Sequence, residues 1–427
     1  MVEAHTIAPT VKNLADLSMV KIPKSYLGLF AQRDFLVLST TLFLGQIASG
    51  FLLLSLIFSV FTRTGSNFAV SGVVLSLALP SFLLMAVAGL VADLFDRKKI
   101  IIFANASIAL VVLLILFSLE KVFASISLSF LYFAGNTFFL PAISAASAQL
   151  VRKNQLAFAN SIFILALVGG QLFGLFMASI TNFFFGNITT LMVSEALLVI
   201  CIFIPFFLPK LMPRKDGNSI FKIIYDIWRG FIYIFRAKTI WFFFLTFAFM
   251  PGIAAFGSTL GPGFFNDIVG VSIGKSPLII MPPVALGVLL GAFFVNRSKV
   301  RDSFFIAQGL GILGFSTALL GFLISFDNVR YLLVISAVEL FLICAGFGVI
   351  ISLIASRTVL QRRVSHNYQG TVFGANIVLS SLVASLMSPI AATLEILIGY
   401  ANVLILAGLS FLVVSAIIGQ VGRRWKF

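Results

Sequence analysis

Long apolar segments recur along this whole sequence. Twelve of them reach about 20 residues, the length at which a helix crosses a hydrocarbon layer ~30 Å thick. A helix is the expected conformation in lipid, because every backbone N–H and C=O group must find its partner within the protein. The predicted spans are 35–61, 67–91, 100–119, 123–148, 158–181, 187–209, 239–260, 276–296, 303–325, 329–355, 369–393 and 399–421.

The composition agrees with this interpretation. Hydrophobic residues make up 60% of the chain and charged residues only 10%, whereas charged residues average about 25% in soluble globular proteins. The sequence therefore predicts an all-α, polytopic membrane protein of twelve transmembrane helices, with the lipid bilayer as its first partner. Cys201 and Cys344 fall inside apolar runs, and we interpret both as packing residues.

A long polar interval separates the spans into two sets of six, which predicts two six-helix bundles joined by a linker. Apolar residues recur at helical spacing in that linker and predict an amphipathic helix on the membrane surface; they are Ile223, Ile227, Phe231 and Ile232. The N-terminal segment is too polar for a signal peptide. The predicted units are the N-terminal segment 1–34, the bundle 35–209, the linker 210–238, the bundle 239–421 and the tail 422–427.

The basic residues are distributed unequally between the two sides of the predicted membrane. All but four of the 29 lysines and arginines lie on the side that holds both termini and the linker; the four are Arg63, Lys121, Lys275 and Arg330. An excess of basic residues marks cytoplasmic segments, so both termini are expected in the cytoplasm. This asymmetry accounts for the net charge of +15 and argues against a nucleic-acid partner.

The segment Gly89-Leu-Val-Ala-Asp93-Leu-Phe-Asp96-Arg97-Lys98-Lys99 is a charged turn between the second and third spans. Gly89 would let two helices approach closely, and Asp93 could lie at the positive N-terminal end of a neighbouring helix. Arg97 and Lys98 would contact lipid phosphates. Together these residues predict a conformational switch, and the alternative is a loop that is merely basic because it is cytoplasmic.

The second half of the chain repeats features of the first half. Gly291-Ala-Phe-Phe-Val295-Asn-Arg297-Ser-Lys299-Val-Arg301 follows 202 residues after the charged turn, with valine in place of aspartate. Phe158-Ala-Asn160 is echoed by Phe373-Gly-Ala-Asn376 at the start of the fifth span of each half. Such duplication is typical of secondary transporters, and it argues against an enzyme.

The charged turn resembles the loop between the second and third helices of major facilitator superfamily transporters. Three further motifs resemble the bacterial branch of that superfamily that contains enterobactin exporters and macrolide efflux proteins: Arg33-Asp34-Phe35, Phe138-Phe-Leu-Pro141-Ala-Ile, and Asp226-Ile-Trp228-Arg229-Gly230-Phe-Ile-Tyr233. The resemblance implies two pseudo-symmetric bundles, alternating access, and a central cavity lined by the first, fourth, seventh and tenth helices of the twelve.

The chain departs from many proton-coupled exporters of that superfamily. The glycine-rich pattern Gly169-Gly170-Gln171-Leu-Phe-Gly174-Leu175 lacks the usual proline, and the fourth and first helices carry Asn136 and Gln46 where such exporters have an arginine and an acid. Glu339 lies about 15 Å deep in the tenth span at ~1.5 Å per residue, and we predict it as the proton-coupling residue. The alternative is a structural hydrogen bond. Glu195 is expected in a structural or lipid-edge position.

The predicted substrate cavity is polar but carries no fixed positive charge. Its candidate residues are Gln46, Asn136, Gln171 and Asn376, each of which could instead make a hydrogen bond between helices. The 49 phenylalanines suit a hydrophobic ligand. Pro251 and Gly252 inside the seventh span predict a bend that could gate the cavity, or a kink that faces lipid.

Gly270-Val-Ser-Ile-Gly274-Lys275-Ser276 looks like a phosphate-binding loop but has three intervening residues where that loop needs four. ATP-driven transport is therefore not expected, nor is any cofactor or metal. The leading hypothesis is a monomeric exporter of small lipophilic or amphipathic compounds in a bacterial inner membrane, driven by proton antiport. The alternatives are an importer or facilitator of a neutral metabolite or lysolipid, and a membrane sensor that transports nothing.

Overall fold

The computed structural model describes residues 32–151, 155–212, 220–297, 302–326, 331–365 and 368–424, and in these residues the regular structure is helical throughout. The helices are α1 (Arg33–Thr64), α2 (Asn67–Leu94), α3 (Arg97–Ser118), α4 (Val122–Leu150), α5 (Leu156–Ile164), α6 (Gly170–Phe203), α7 (Ile220–Arg236), α8 (Lys238–Gly263), α9 (Ser276–Arg297), α10 (Asp302–Ile324), α11 (Tyr331–Arg363) and α12 (Gln369–Arg424). Most of the predicted N-terminal segment lies outside the described residues.

Ten helices in the described residues are long and apolar enough to cross a membrane, so the protein is a multi-pass membrane protein but the predicted count of twelve spans is not confirmed. Two of the ten, Ala159–Phe207 and Thr371–Gln420, are 49 and 50 residues long. The backbone leaves the helical conformation inside both, at Gly186 (φ 84°, ψ 173°) and at Gly399 (φ 78°, ψ 164°). These breaks coincide with the starts of the predicted sixth and twelfth spans.

Alanine at Gly399 should lower the thermal stability, because this backbone region is adopted almost only by glycine and costs other residues about 1–3 kcal/mol. Gly374, in the same helix, is a matched control: a Cβ at either glycine would meet no atom within 4 Å, but Gly374 is helical. We expect a lower midpoint of thermal unfolding for G399A and an unchanged or higher midpoint for G374A. Equal midpoints would contradict a backbone break at Gly399.

The buried apolar side chains pack mainly within each half of the chain. In the first half Leu52, Leu56 and Val112 belong to one cluster, and in the second half Phe244 and Leu360 belong to another. The first of these clusters also contains Ala255, Ile273 and Ala384 of the second half. The two halves therefore share part of their apolar core.

The predicted amphipathic helix of the linker is present as α7. Ile227 and Phe231 pack on the apolar cluster of the second half. Ile232 lies roughly 100° around the helix from Phe231 and is exposed.

Candidate functional site

The charged turn between α2 and α3 is held by Asp96, which sequence reasoning did not select. Asp96 is buried and is the N-cap of α3; its Oδ1 accepts hydrogen bonds from the backbone N–H groups of Lys98 at 3.1 Å and Leu211 at 3.0 Å. An aspartate directly before the first helical residue is a recognised capping signal. Asp96 therefore ties this turn to the segment that follows α6.

Arg97 and Lys98 bind backbone carbonyls of their own half. Arg97 donates to the carbonyl of Ala145 at 3.1 Å and to Oε1 of Gln149 at 2.9 Å, near the end of α4. Lys98 Nζ donates to the carbonyls of Phe206 and Leu208, at 2.8 and 2.6 Å. Cations are favoured at helix C-terminal ends. Arg97 and Lys98 therefore hold the charged turn against the ends of α4 and of the segment after α6.

Asp93 and Gly89, the other two residues of the predicted switch, are not engaged in this conformation. Asp93 is half-buried and makes no hydrogen bond or ion pair with any residue that the structure describes. A Cβ at Gly89 would meet no atom within 4 Å. The roles predicted for Asp93 and Gly89 therefore stay predictions.

The side of the molecule that holds the charged turn and α7 is called the linker side, and the opposite side is called the far side. On the far side, Asn67 joins the two halves. Asn67 is 3% exposed. Its Nδ2 donates to Oη of Tyr400 at 2.6 Å and to Oε2 of Glu395 at 3.3 Å, and its Oδ1 accepts from the backbone N–H of Gly263 at 3.0 Å. One side chain of the first half therefore contacts three residues of the second.

Two further far-side contacts join the halves. The Ser388 hydroxyl donates to the carbonyl of Ser71 at 3.2 Å and lies 2.7 Å from the hydroxyl of Thr259. The hydroxyl of Ser179 donates to the carbonyl of Gly274. A Cβ at Gly274 would overlap the side chain of Asn182, which belongs to the first half. The far side is therefore closed by close packing as well as by hydrogen bonds.

The predicted cavity residues fall into two groups. Asn376 is buried and donates from Nδ2 to the carbonyl of Phe244 at 3.0 Å. It therefore makes the hydrogen bond between helices that was its alternative. Gln46 is 4% exposed, while Asn136 and Gln171 are half-buried. These three amides have no hydrogen-bond partner among the described residues.

The glycine-rich pattern of α6 packs tightly against α1. A Cβ at Gly170 would lie 3.0 Å from Cβ of Gln46, and a Cβ at Gly174 would overlap the backbone of Ile47. Small residues at such crossings let two membrane helices approach closely. The pattern therefore has a packing role that does not depend on the missing proline.

The two intramembrane glutamates differ in their surroundings. Glu339 lies exposed on α11 and has no partner among the described residues. Glu195 is half-buried, and its Oε2 is buried without a hydrogen-bond partner among the described residues. A carboxylate inside a membrane span is costly in its charged form.

The predicted bend at Pro251 does not unwind the helix. α8 runs without a non-helical residue from Lys238 to Gly263, and the wider π turn comes later, at Phe264–Ile268. Gly252 packs against α12, where a Cβ would lie 2.7 Å from Cγ1 of Val383. No group of three His, Cys, Asp or Glu side chains that could hold a metal occurs in the part of the chain described.

A family model described as Major Facilitator Superfamily matches residues 35–389. The chain belongs to the major facilitator superfamily. This confirms the superfamily resemblance and makes the protein a transporter by family. A comparison with curated protein sequences finds no match.

The fold is also similar to the folds of solved transporter structures. The fold is similar to that of the nucleoside transporter NupG, with a TM-score of 0.67 at 16% identity, over 91% of this chain and 98% of that chain. It is also similar to a POT family transporter in complex with 5-aminolevulinic acid, with a TM-score of 0.74 at 13% identity, over 92% and 96% of the two chains. At these identities the likeness shows the fold alone. The finer resemblance to enterobactin and macrolide exporters is not shown.

Proposed function

We propose that this major facilitator protein is a secondary transporter that works by alternating access and exports small lipophilic or amphipathic compounds. The observation that carries this proposal is an asymmetry in the hydrogen bonds of its two sides. On the far side, Asn67, Ser71 and Ser179 join the two halves. On the linker side, Arg97 and Lys98 bind only within the first half by the contacts described above. Such an asymmetry is expected for one end state of a two-state transporter.

The proposed topology has twelve spans in two bundles, 35–209 and 239–421. Each of the two helices of about 50 residues would cross the membrane twice, with its turn at Gly186 or Gly399. A single helix of that length would measure ~75 Å, more than twice the hydrocarbon thickness. The excess of basic residues supports a cytoplasmic linker side, and the proposed membrane is a bacterial inner membrane.

The unengaged residues of the charged turn would act in the other end state. When the linker side closes, Gly89 would admit a helix of the second half and Asp93 would bind the N-terminal end of that helix. Arg97 and Lys98 would keep the turn attached to the first half throughout. The open space at Gly89 and the lack of a described partner for Asp93 in the present conformation support this role.

The substrate would contact Gln46, Asn136 and Gln171, the amides without a partner among the described residues. The 49 phenylalanines of the chain suit a lipophilic compound, and the branch resemblance favours export. One observation favours a second candidate, uptake of a neutral metabolite or lysolipid. The half-buried amides Asn136 and Gln171 have no partner among the described residues, and such amides also suit an uncharged polar solute. Whichever solute is moved, a single chain would suffice for transport.

Glu339 is the proposed proton site, and E339Q should reduce proton-driven efflux at least tenfold, because a glutamine side chain neither binds nor releases a proton. Efflux-deficient bacterial cells would express the protein, and the accumulation of lipophilic fluorescent dyes and a macrolide would be measured with and without a protonophore. E195Q is the matched control, since Glu195 is also intramembrane but lies in α6. Proton-driven efflux that survives in E339Q and is lost in E195Q would move the coupling site to Glu195.

The same assay tests the proposed direction. Lower accumulation than in empty cells, abolished by the protonophore, is the result expected for proton antiport. Accumulation equal to that in empty cells for every compound would reject export of this class. Uptake of radiolabelled nucleosides, small peptides and lysolipids would then test the second candidate.

A further inference from the structure

A surface cavity of about 510 Å³ opens on the linker side, beside the amphipathic helix α7. It lies outside the charged turn and the far-side contacts, and the proposed transport cycle does not use it. Five of its residues come from α7 and its junction with α8, and the sixth directly precedes α12. The lining residues are Arg229, Ile232, Tyr233, Arg236, Ala237 and Tyr368.

One face of α7 is fixed to the second half of the protein. Ile234 is fully buried in the apolar cluster of that half. A Cβ at Gly230 would overlap the carbonyl oxygen of Thr371 in α12. The helix therefore holds a defined position, and the cavity beside it is preformed.

Another face of α7 presents large apolar side chains to its surroundings. Trp228 is 61% exposed and Phe235 64% exposed, and Tyr225 and Ile232 are also exposed. At roughly 100° per residue these four side chains form one stripe along the helix. Exposed aromatic and apolar side chains on an amphipathic helix are typical of a helix that lies in the membrane interface.

The two arginines lie next to this stripe, on the side towards the cavity. They are seven residues apart and therefore project from the same side of α7. Arg229 lies over the rings of Tyr225 and Tyr368, with its Cζ 5.7 and 5.5 Å from their centroids, and its Nη2 donates to Oη of Tyr368 at 3.3 Å. Tyr368 in turn stacks on Tyr233 at 4.7 Å. These aromatic contacts orient one guanidinium at the cavity.

Arg236 is exposed and makes no hydrogen bond or ion pair with any residue in the described part of the chain. It lies directly before α8, whose membrane-spanning stretch begins at Ile240. The cavity therefore lies at the boundary of a span, where lipid head groups are found. Guanidinium groups match the oxygens of phosphate in a bidentate geometry.

We propose that this cavity binds the phosphate head group of an anionic phospholipid. Arg229 and Arg236 hold the phosphate from two sides, and the lipid chains lie against the exposed stripe of Trp228 and Phe235. A free phosphate would satisfy the arginines but would leave the apolar stripe uncovered. The bound lipid therefore links α7 to the bilayer at one defined point.

The test is native mass spectrometry of the purified, delipidated protein titrated with phosphatidylglycerol or with phosphatidylcholine. The wild type should retain phosphatidylglycerol in preference to phosphatidylcholine. In the double variant R229Q/R236Q the affinity for phosphatidylglycerol should fall by about thirtyfold, the factor expected for two arginines near an anionic surface. The matched control is K99Q/K210Q, which removes the same charge from exposed residues on the same side but outside the cavity.

A second variant, R229K/R236K, keeps the charge and loses the bidentate geometry, so its affinity should be several-fold lower than that of the wild type. Three results would overturn the proposal: unchanged affinity in R229K/R236K, which would mean diffuse charge attraction; an equal loss in K99Q/K210Q; or saturable binding of inorganic phosphate that displaces the lipid, which would make a free anion the ligand. Since the lysine variant changes no charge, it also serves if R229Q/R236Q fails to fold.

Discussion

Valine at Gly274 should abolish most transport by preventing closure of the far side. The atoms that a Cβ would meet at this position belong to Asn182 and Phe58, both in the first half, whereas Gly274 is in the second. Overpacking costs about 1–3 kcal/mol. This cost arises only when the two halves meet on the far side. The equilibrium between the two end states should therefore shift roughly ten- to a hundredfold towards the state that is open on the far side.

The matched control for this substitution is G261V, at the far-side end of α8, where a Cβ would meet no atom within 4 Å. Spin labels at Arg63→Cys and Ser325→Cys, in a background without Cys201 and Cys344, would report the separation of the halves on the far side. We expect a longer distance and lost transport in G274V, and neither change in G261V. Lost transport at an unchanged distance would contradict the proposed closure.

Alanine at Asp93 should reduce transport at least tenfold while leaving stability unchanged. In the present conformation Asp93 has no described partner, so its removal costs this state nothing. Its proposed partner, the N-terminal end of a helix, is met only when the linker side closes. A charge at a helix N-terminal end contributes up to ~2 kcal/mol in a partly buried place, which corresponds to more than tenfold in the population of the closed state.

Asp96, three residues away, provides the matched comparison. D96A removes the cap of α3 and the bond to Leu211, and should lower the free energy of unfolding by about 1–3 kcal/mol. Transport rates in proteoliposomes and midpoints of thermal unfolding would be measured for both variants. A loss of stability in D93A equal to that in D96A would show that Asp93 has a structural role. Normal transport in D93A would reject its part in the switch.

The lipid cavity and the switch lie on the same side, yet they can be tested separately. Gly230 packs against the start of α12, which fixes α7 to the second half. A lipid held by Arg229 and Arg236 would therefore be attached to the second half. The charged turn is bound to the first half through Arg97 and Lys98. Loss of lipid binding in R229Q/R236Q would therefore leave the hydrogen bonds of the charged turn unchanged.

The sequence by itself determined the class of protein, the superfamily and the positions of the apolar helices. Lipid offers no hydrogen-bond partners, so runs of about 20 apolar residues have few conformations open to them. The gaps between the predicted spans at 181–187 and 393–399 also coincide with the backbone breaks at Gly186 and Gly399. The amphipathic helix α7 was predicted for the same reason, through its periodicity.

The roles of single polar residues were decided only by the tertiary structure. Asn376 and Gln46 look alike in the sequence, but one binds the carbonyl of Phe244 and the other has no described partner. Which face of a membrane helix meets another helix depends on packing, and nearly all faces of such a helix are apolar. The periodicity that identifies buried faces in soluble proteins is therefore weak here.

The far-side network around Asn67 is the clearest case of a feature that the sequence did not reveal. Its partners Gly263, Glu395 and Tyr400 lie 196, 328 and 333 positions away in the chain. No local pattern encodes a contact over such separations, because it forms only when two folded halves meet. The local run of apolar residues determined where the helices lie in the sequence. The packing of one half against the other decided which side chains hold the far side closed.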